Sequence, residues 1–245
     1  MTAPRRFGLV RKPPGSHNAF MHVCLFDIDG TLISSGGAGK RALEKALASE
    51  FGIDDRPIEK LLLSGRTDRA ILRDLFRLHA LEESTGNLQR LLAGYLHHLP
   101  ACLAASQGRV LPGIVALLER LRAEARVAVG LLTGNVRDGA RLKLGHYGIY
   151  HHFEFGGFGD IHLDRDDVAR EALRAIHGRF NGSVAPERIW VVGDTPLDIR
   201  CARSIGARAV AVTTGWHSAE ELAEHRPDLL LADLSDPAPL LRLWD

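Results

Sequence analysis

Short apolar runs alternate with amphipathic helical patterns along most of the chain. The apolar runs span residues 22–26, 127–132, 189–192, 209–212 and 229–231. Each has the length and composition of a buried β-strand. Helical patterns follow most of these runs, at residues 114–124, 135–147, 167–177 and 198–204. Strand and helix in alternation predict an α/β fold with a doubly wound, parallel, Rossmann-like sheet, whose ligands bind at the carboxyl ends of the strands.

Residues 34–109 break this alternation, because their pattern is almost entirely helical. Leucine and alanine recur at helical spacing over residues 40–51, 68–79 and 88–105. We therefore predict a small α-helical cap domain at 34–109, inserted after the first strand of an α/β core formed by 21–33 and 110–245. Glycines 36, 37 and 39 and the pair Gln107-Gly108 are predicted hinges.

Residues 1–20 carry four basic side chains and a proline pair, and we interpret them as a flexible N-terminal extension. Met21 directly precedes the first strand, so Met1 and Met21 both remain possible starts. The formal net charge of +1 argues against binding to nucleic acid or to a membrane surface, which need a concentrated basic face. The three cysteines have neither disulfide nor zinc spacing, which favours the cytoplasm. The pattern does not indicate an oligomeric state.

Acidic side chains follow two of the predicted strands. Asp27 and Asp29 come directly after the first strand, and Asp194 and Asp198 follow the strand that begins at residue 189. If these strands are neighbours, the carboxylates converge and repel each other unless a cation lies between them. Oxygen ligands without cysteine or histidine favour Mg²⁺, and such an ion can also dock a phosphate group.

Several motifs resemble those of the haloacid dehalogenase-like superfamily. They are DIDGTL at residues 27–32, LPG at 111–113, TGN at 133–135 and GDTPLD at 193–198. The resemblance extends from residue 22 to the end of the chain, and the whole pattern is similar to phosphoglycolate phosphatase-like members. A lone DxD sequence is a weak signal, but these motifs in this order form a strong joint signal.

The resemblance implies a role for each acidic residue. Asp27 would attack phosphorus and form an aspartyl-phosphate, and it would also bind Mg²⁺. Asp29 would act as general acid and then base, and would bind the metal through its backbone carbonyl. Asp194 would be a metal ligand, and Asp198 would bind the metal through water or orient a neighbour.

The resemblance also implies a set of phosphate-binding residues. Thr133, Gly134 and Asn135 would hold the phosphoryl oxygens, and Thr31 would support the loop that follows the first strand. The family's basic residue has two candidates here, Arg165 and Lys143, since the usual Lys-Pro pair is absent. We favour Arg165, because Lys143 lies ten residues past Thr133, about 15 Å away along a helix.

The predicted cap contributes a glycine turn at residues 64–68. Its Arg66 is a candidate for binding a carboxylate or a second phosphate of the substrate. The Thr67 and Asp68 side chains are candidates for capping the next helix.

The sequence therefore predicts a Mg²⁺-dependent phosphatase that acts on a small phosphorylated metabolite, with a phosphoglycolate-like acid as a candidate substrate. A phosphomutase and a haloacid dehalogenase of the same superfamily are alternatives, although Asp29 argues against the dehalogenase because a halide needs no proton donor. A non-catalytic signalling module that binds Mg²⁺ and phosphate is a third alternative. The predicted cap and the length of the chain argue against it.

Overall fold

The structure, a computed structural model, describes residues 21–54, 58 and 62–244. These residues form eight strands, nine α-helices and three short 3₁₀-helices. The predicted N-terminal extension at residues 1–20 lies outside the described residues. The strands are β1 (His22–Phe26), β2 (Ile33–Ser34), β3 (Arg109–Val110), β4 (Val127–Leu132), β5 (Gly156–Gly157), β6 (Ile189–Gly193), β7 (Arg208–Val212) and β8 (Leu229–Leu231). The helices are α1 (Ala38–Phe51), α2 (Asp68–Leu78), α3 (Thr85–Ala104), α4 (Ile114–Ala123), α5 (Arg137–His146), α6 (Arg165–Phe180), α7 (Pro196–Ser204), α8 (Ala219–Glu224) and α9 (Ala238–Leu241).

Six of these strands form a parallel sheet in the order β5-β4-β1-β6-β7-β8. Its central strand β1 is apolar on both faces, as a parallel strand between two helical layers must be. Cys24 and Phe26 pack into one apolar cluster with residues of α4 and α5. Val23 and Leu25 pack into a second cluster with residues of α6 and α7. The predicted fold class, a doubly wound parallel α/β sheet, is confirmed.

Strand β5 is not among the strands that the sequence predicts. Its two glycines pair with the end of β4 and are buried. Added Cβ atoms there would meet the backbone of β4 and of α6, so glycine lets both approach closely. Glycine carries little strand signal in a sequence, which explains the omission.

Strand β1 lies where the order of the strands reverses, with β4 on one side and β6 on the other. The chain leaves β1 at Asp27, β4 at Thr133 and β6 at Asp194. Ligands of open α/β sheets bind in the crevice at such a reversal. The topology therefore brings the three motifs to one edge of the sheet.

Helices α1, α2 and α3 follow β1 and have an apolar cluster of their own. The segment leaves the core through β2 and returns through β3, and these two strands pair antiparallel. A Cβ on Gly36 would lie 3.1 Å from the backbone of Gln107 and Gly108, so the two predicted hinges lie side by side. The predicted domain boundaries at 34 and 109 stay a prediction. Among the helices of the described residues, none is both long and apolar enough to cross a membrane.

Candidate active site

Three aspartates lie buried together at the carboxyl edge of the sheet. Asp27 follows β1, Asp194 follows β6, and Asp198 lies in the first turn of α7. Each offers a carboxylate oxygen within 4.8 Å of the others, and none is more than 4% exposed. Sequence reasoning expected this convergence, and the strand order β4-β1-β6 produces it.

The buried cluster is electrostatically costly without a cation. Burial raises the pKa of Asp27 to about 6, and the charges of Asp198 and Asp29 add to this, although Arg165 opposes it. Burial, followed by the charges of Asp198 and Asp27, also raises the pKa of Asp194 well above its ordinary value. Hard carboxylate oxygens around a buried pocket suit Mg²⁺, so these residues fit the predicted ion.

Arg165 is the counter-charge inside this cluster. Its side chain is 3% exposed, and its guanidinium lies 3.0 Å from a carboxylate oxygen of Asp27 and bonds to Asp198. It also donates to the carbonyl of Leu132 at 3.3 Å. Burial disfavours its charge, but the two carboxylates outweigh burial and raise the pKa of Arg165. The structure thus places Arg165 against Asp27, as expected for the basic residue of the site.

Asp198 makes two sets of contacts, one that caps a helix and one within the site. Its Oδ2 accepts bonds from the backbone N–H and the hydroxyl of Thr195 at 3.0 and 2.7 Å, and completes a capping box at the start of α7. Its Oδ1 accepts from Arg165. Asp198 is therefore both a helix cap and a partner of the site, held in a fixed orientation.

Lys143 lies in the site as well, so the distance argument against it was wrong. Its Nζ is 2.5 Å from Oδ2 of Asp29 and 2.6 Å from Oδ1 of Asn135. The argument assumed one helix running away from Thr133, but α5 begins only at residue 137, after a turn. The lysine side chain then reaches back to the sheet edge. Both basic candidates thus enter the site, one beside Asp27 and the other beside Asp29.

In the protein without substrate, these neighbours favour the ionised form of Asp29. Partial burial favours the neutral carboxyl, but the Lys143 charge and hydrogen bonds from Lys143, Asn135 and Ser35 prevail and lower the pKa of Asp29. Asn135 donates to Asp29 at 3.0 Å and to the hydroxyl of Thr133 at the same distance. Thr133 itself is fully buried, and its hydroxyl also accepts from the backbone N–H of Asn135.

The loop after β1 needs its glycine and its threonine. Gly30 has φ 87°, in the left-handed region, and a Cβ there would collide with the carboxylate of Asp194. The Thr31 hydroxyl donates to Asp194 Oδ1 at 3.0 Å. Thr31 therefore orients a candidate metal ligand, in line with its predicted supporting role.

The turn at residues 64–68 docks on the core from the helical segment. The Gly65 carbonyl accepts from Arg165 at 3.2 Å, and the Asp68 N–H donates to the carbonyl of Gly134 at 2.7 Å. Thr67 is the N-cap of α2, as one of the two capping candidates. Arg66 lines the pocket, but its guanidinium pairs with Asp74 at 2.7 Å. Its predicted contact with substrate stays a prediction.

A pocket of about 700 Å³ opens between the turn, the helical segment and the sheet edge. Asp27, Asp29 and Arg165 are among the charged residues that line it. Sequence reasoning missed two contributors. The first is the loop 214–216 after β7, whose Thr214 hydroxyl donates to the carbonyl of Gly30 at 2.5 Å; its position at a strand end was the available signal. The second is Tyr95 of α3. The leucine-rich pattern around Tyr95 predicted a helix but gave no sign that this side chain lines the pocket.

A family model for haloacid dehalogenase-like hydrolases matches residues 21–206. The match covers most of the chain and includes all of the motifs named above. The chain belongs to the haloacid dehalogenase-like hydrolases. The predicted family is therefore confirmed.

Curated relatives of this haloacid dehalogenase-like hydrolase are similar over nearly their whole length. A phosphoglycolate phosphatase of Synechococcus elongatus is 32% identical, over 88% of this chain and 95% of the relative. A validoxylamine A 7'-phosphate phosphatase of Streptomyces hygroscopicus subsp. limoneus is 30% identical, over 87% and 94%. These two relatives carry the names of phosphatases with different substrates.

Solved structures agree on the fold of this hydrolase. CbbY from Rhodobacter sphaeroides, in complex with phosphate, superposes with a TM-score of 0.66 at 25% identity, over 88% of this chain and 96% of that one. A hydrolase from Pseudomonas syringae superposes with a TM-score of 0.69 at 22% identity, over 91% and 98%. The second likeness concerns the fold alone.

Proposed function

We propose that this hydrolase is a Mg²⁺-dependent phosphatase that cleaves a small phosphorylated metabolite through an aspartyl-phosphate on Asp27. The general reaction class, hydrolysis of phosphoric monoesters, agrees with the family and with the phosphatases among its relatives. The observation that carries the finer proposal is the position of Asp27. It lines the pocket, touches Arg165 and shares a buried cluster with two further carboxylates.

The residues of the site supply the parts that phosphoryl transfer needs. An oxygen of Asp27 attacks phosphorus as the bond to the leaving oxygen breaks. The leaving oxygen keeps the electron pair and takes a proton from Asp29, which must carry that proton when substrate is bound. Water then attacks phosphorus and gives a proton to Asp29, and Asp27 is released.

Other residues hold the phosphoryl group. Arg165 orients Asp27 and donates to the phosphoryl oxygens, together with the backbone N–H group of Gly134. Thr133 acts by orienting Asn135 through the hydroxyl contacts described above. Asp27, Asp194 and Asp198, with the backbone carbonyl of Asp29, would hold the metal ion, which would supply positive charge against the phosphate.

Residues 34–109 act as a cap that closes over this pocket. The turn at 64–68 docks on Arg165 and Gly134 through backbone groups, and the paired strands β2 and β3 are the hinge. A cap of this kind excludes water and large substrates, which favours small phosphorylated metabolites over macromolecules. We expect the enzyme in the cytoplasm, with neither nucleic acid nor membrane as a partner.

The proposed substrate class rests on a relative, on Arg66 and on the volume of the pocket. The 32% identical relative is named for phosphoglycolate, and Arg66 is positioned to reach the carboxylate of such an acid if it exchanges Asp74 for the substrate. The pocket volume of about 700 Å³ also admits larger leaving groups. A phosphoglycolate-like acid is the first compound to assay, and sugar phosphates are the next.

The experiment is hydrolysis of an aryl phosphate and of a panel of phosphorylated metabolites, with and without Mg²⁺. Asp27→Asn is the variant, because it keeps the volume and removes the nucleophile. We expect activity that requires Mg²⁺ in the wild type and none above background in the variant. Wild-type protein that binds Mg²⁺ but turns over no phosphate ester would contradict the proposal.

A further inference from the structure

Lys143 has contacts that the proposed reaction does not explain. Its side chain is 6% exposed, whereas that of Asp29 is 37% exposed and lines the pocket. The ammonium group binds Oδ2 of Asp29 at 2.5 Å and Oδ1 of Asn135 at 2.6 Å. Asn135 in turn donates to the same oxygen of Asp29 at 3.0 Å. The three side chains form a closed triangle that fixes one carboxylate oxygen and leaves the rest of the carboxylate facing the pocket.

The third side of the ammonium group faces the helical segment. The hydroxyl of Tyr95 on α3 hydrogen-bonds to Lys143. Tyr95 itself is only 2% exposed. A Cβ on Gly39 of α1 would lie 3.7 Å from the lysine Nζ and 4.0 Å from the tyrosine hydroxyl. Residue 39 of α1 therefore packs at van der Waals distance from this pair. Lys143 belongs to the core helix α5, so the bond joins the core to the helical segment.

Asp68 adds a second connection at the same place. Its backbone N–H donates to Gly134, and its carboxylate accepts from the Val136 N–H at 2.8 Å. Its negative charge helps to raise the pKa of Lys143. The start of α2 is thus tied to the turn that carries Asn135, and the lysine lies between groups from α1, α2 and α3.

We propose that Lys143 is a positioning residue that holds Asp29 in place for proton transfer, and that Tyr95 completes its hydrogen bonds only when the helical segment is docked on the core. This proposal rests on the proposed phosphatase function. A docked segment provides Tyr95, Tyr95 orients Lys143, and Lys143 with Asn135 fixes Asp29 toward the leaving oxygen. Docking over the substrate and readiness of the proton donor are therefore coupled.

A purely structural bond between core and helical segment would have other consequences. It would affect all substrates alike, because it would change only the stability or the closing of the segment. A misplaced proton donor affects substrates unequally, because a poor alkoxide leaving group needs the proton and a nitrophenolate leaves without it. The dependence on the leaving group therefore separates the two roles.

The test compares kcat/KM for 4-nitrophenyl phosphate and for an alkyl phosphate that the wild type hydrolyses, because kcat/KM reports formation of the aspartyl-phosphate, whereas hydrolysis of that intermediate is the same for both esters. We expect Lys143→Met to lower kcat/KM for the alkyl ester by about 100-fold, the cost of a displaced catalytic group, and for the aryl ester by less than about 10-fold. Tyr95→Phe keeps the shape of the side chain and should show the same inequality at about 10-fold. Arg141→Met is the matched control, an exposed residue of the same helix paired with Asp138, and should not change either rate.

The possible outcomes separate the two proposals. Equal losses of kcat/KM on both esters in Lys143→Met and Tyr95→Phe would overturn the positioning role while leaving the phosphatase intact. If Lys143→Met does not fold, Tyr95→Phe decides the question alone, and an unchanged ratio of the two rates would overturn the proposal. A wild type that hydrolyses neither ester would overturn the phosphatase function and the positioning role with it.

Discussion

Replacing Arg165 by methionine removes the positive charge from a cluster of buried carboxylates. Its guanidinium contacts Asp27 at 3.0 Å and bonds to Asp198, and the side chain is 3% exposed. Breaking a buried ion pair by removing one partner costs about 3–5 kcal/mol, because the remaining charge has no counter-charge and no water. We expect Arg165→Met to lower the free energy of unfolding by about this amount at pH 8 in the absence of divalent cations.

The loss of stability in Arg165→Met should depend on pH, since a buried carboxyl group that takes up a proton is no longer an unpaired charge. The pKa of Asp27 is raised to about 6 in the folded protein, above its value in the unfolded chain. A raised carboxyl pKa costs stability as pH rises from the unfolded value to the folded one, and the cost is constant above it. Loss of Arg165 raises that pKa further, so the variant goes on losing stability above pH 6, by about 1.4 kcal/mol for each pH unit. The deficit at pH 6 should therefore be about 3 kcal/mol smaller than at pH 8.

The assay is urea unfolding of both proteins at pH 6, 7 and 8 in the presence of a chelator. Arg170→Met is the matched control, because Arg170 lies on the same helix and pairs with Asp167 while half exposed. Exposed pairs contribute about 0–1 kcal/mol, and we expect no trend with pH in the control. A deficit in Arg165→Met that equals that of the control, or one that does not change between pH 6 and 8, would refute the reasoning.

Three further predictions concern the loop after β1, the cysteines and the pocket rim. Gly30→Ala should lower kcat by more than about 10-fold and stability by about 1–3 kcal/mol, because the new Cβ is strained and displaces Asp194, whereas Gly182→Ala has the same strain with open space around it and should keep full activity. All three cysteines are buried, and burial raises the pKa of Cys24 and of Cys201, so a thiol reagent should label none of them until urea unfolds the protein. Labelling of the native protein would contradict that burial. Trp216 lines the pocket and is 91% exposed, so Trp216→Phe should remove most of the acrylamide-quenchable fluorescence, and an unchanged quenching curve would be inconsistent with this position.

Sequence reasoning reached the sheet and the acidic site because both depend on local patterns. Apolar runs marked β1, β4, β6, β7 and β8, and each motif stood at a strand end, where topology collects ligands. The edge strand β5 escaped because its glycines have little strand preference and owe their place to close packing on α6.

The positions of Lys143 and Tyr95 in the site depend on contacts between residues far apart in the chain, which no local sequence pattern indicates. The position of Lys143 followed from where α5 begins, and its partner Tyr95 comes from a helix about fifty residues earlier in the chain. Arg66 is a further example, since its turn forms where the sequence predicted but its charge is paired with Asp74, a partner that the local sequence does not indicate. Turn chemistry fixed the location of the loop, and only the fold fixed the partner.

The most direct test of the central claim is chemical identification of the phosphorylated residue. Asp29→Asn should slow hydrolysis of the intermediate, because the base that activates water is lost, while an aryl phosphate still transfers its phosphoryl group without a proton donor. Acid quench of this variant with 4-nitrophenyl phosphate and Mg²⁺, followed by borohydride reduction and peptide mass spectrometry, should find homoserine in place of Asp27. Modification of another residue, or none while nitrophenol is released in a burst, would contradict nucleophilic attack by Asp27.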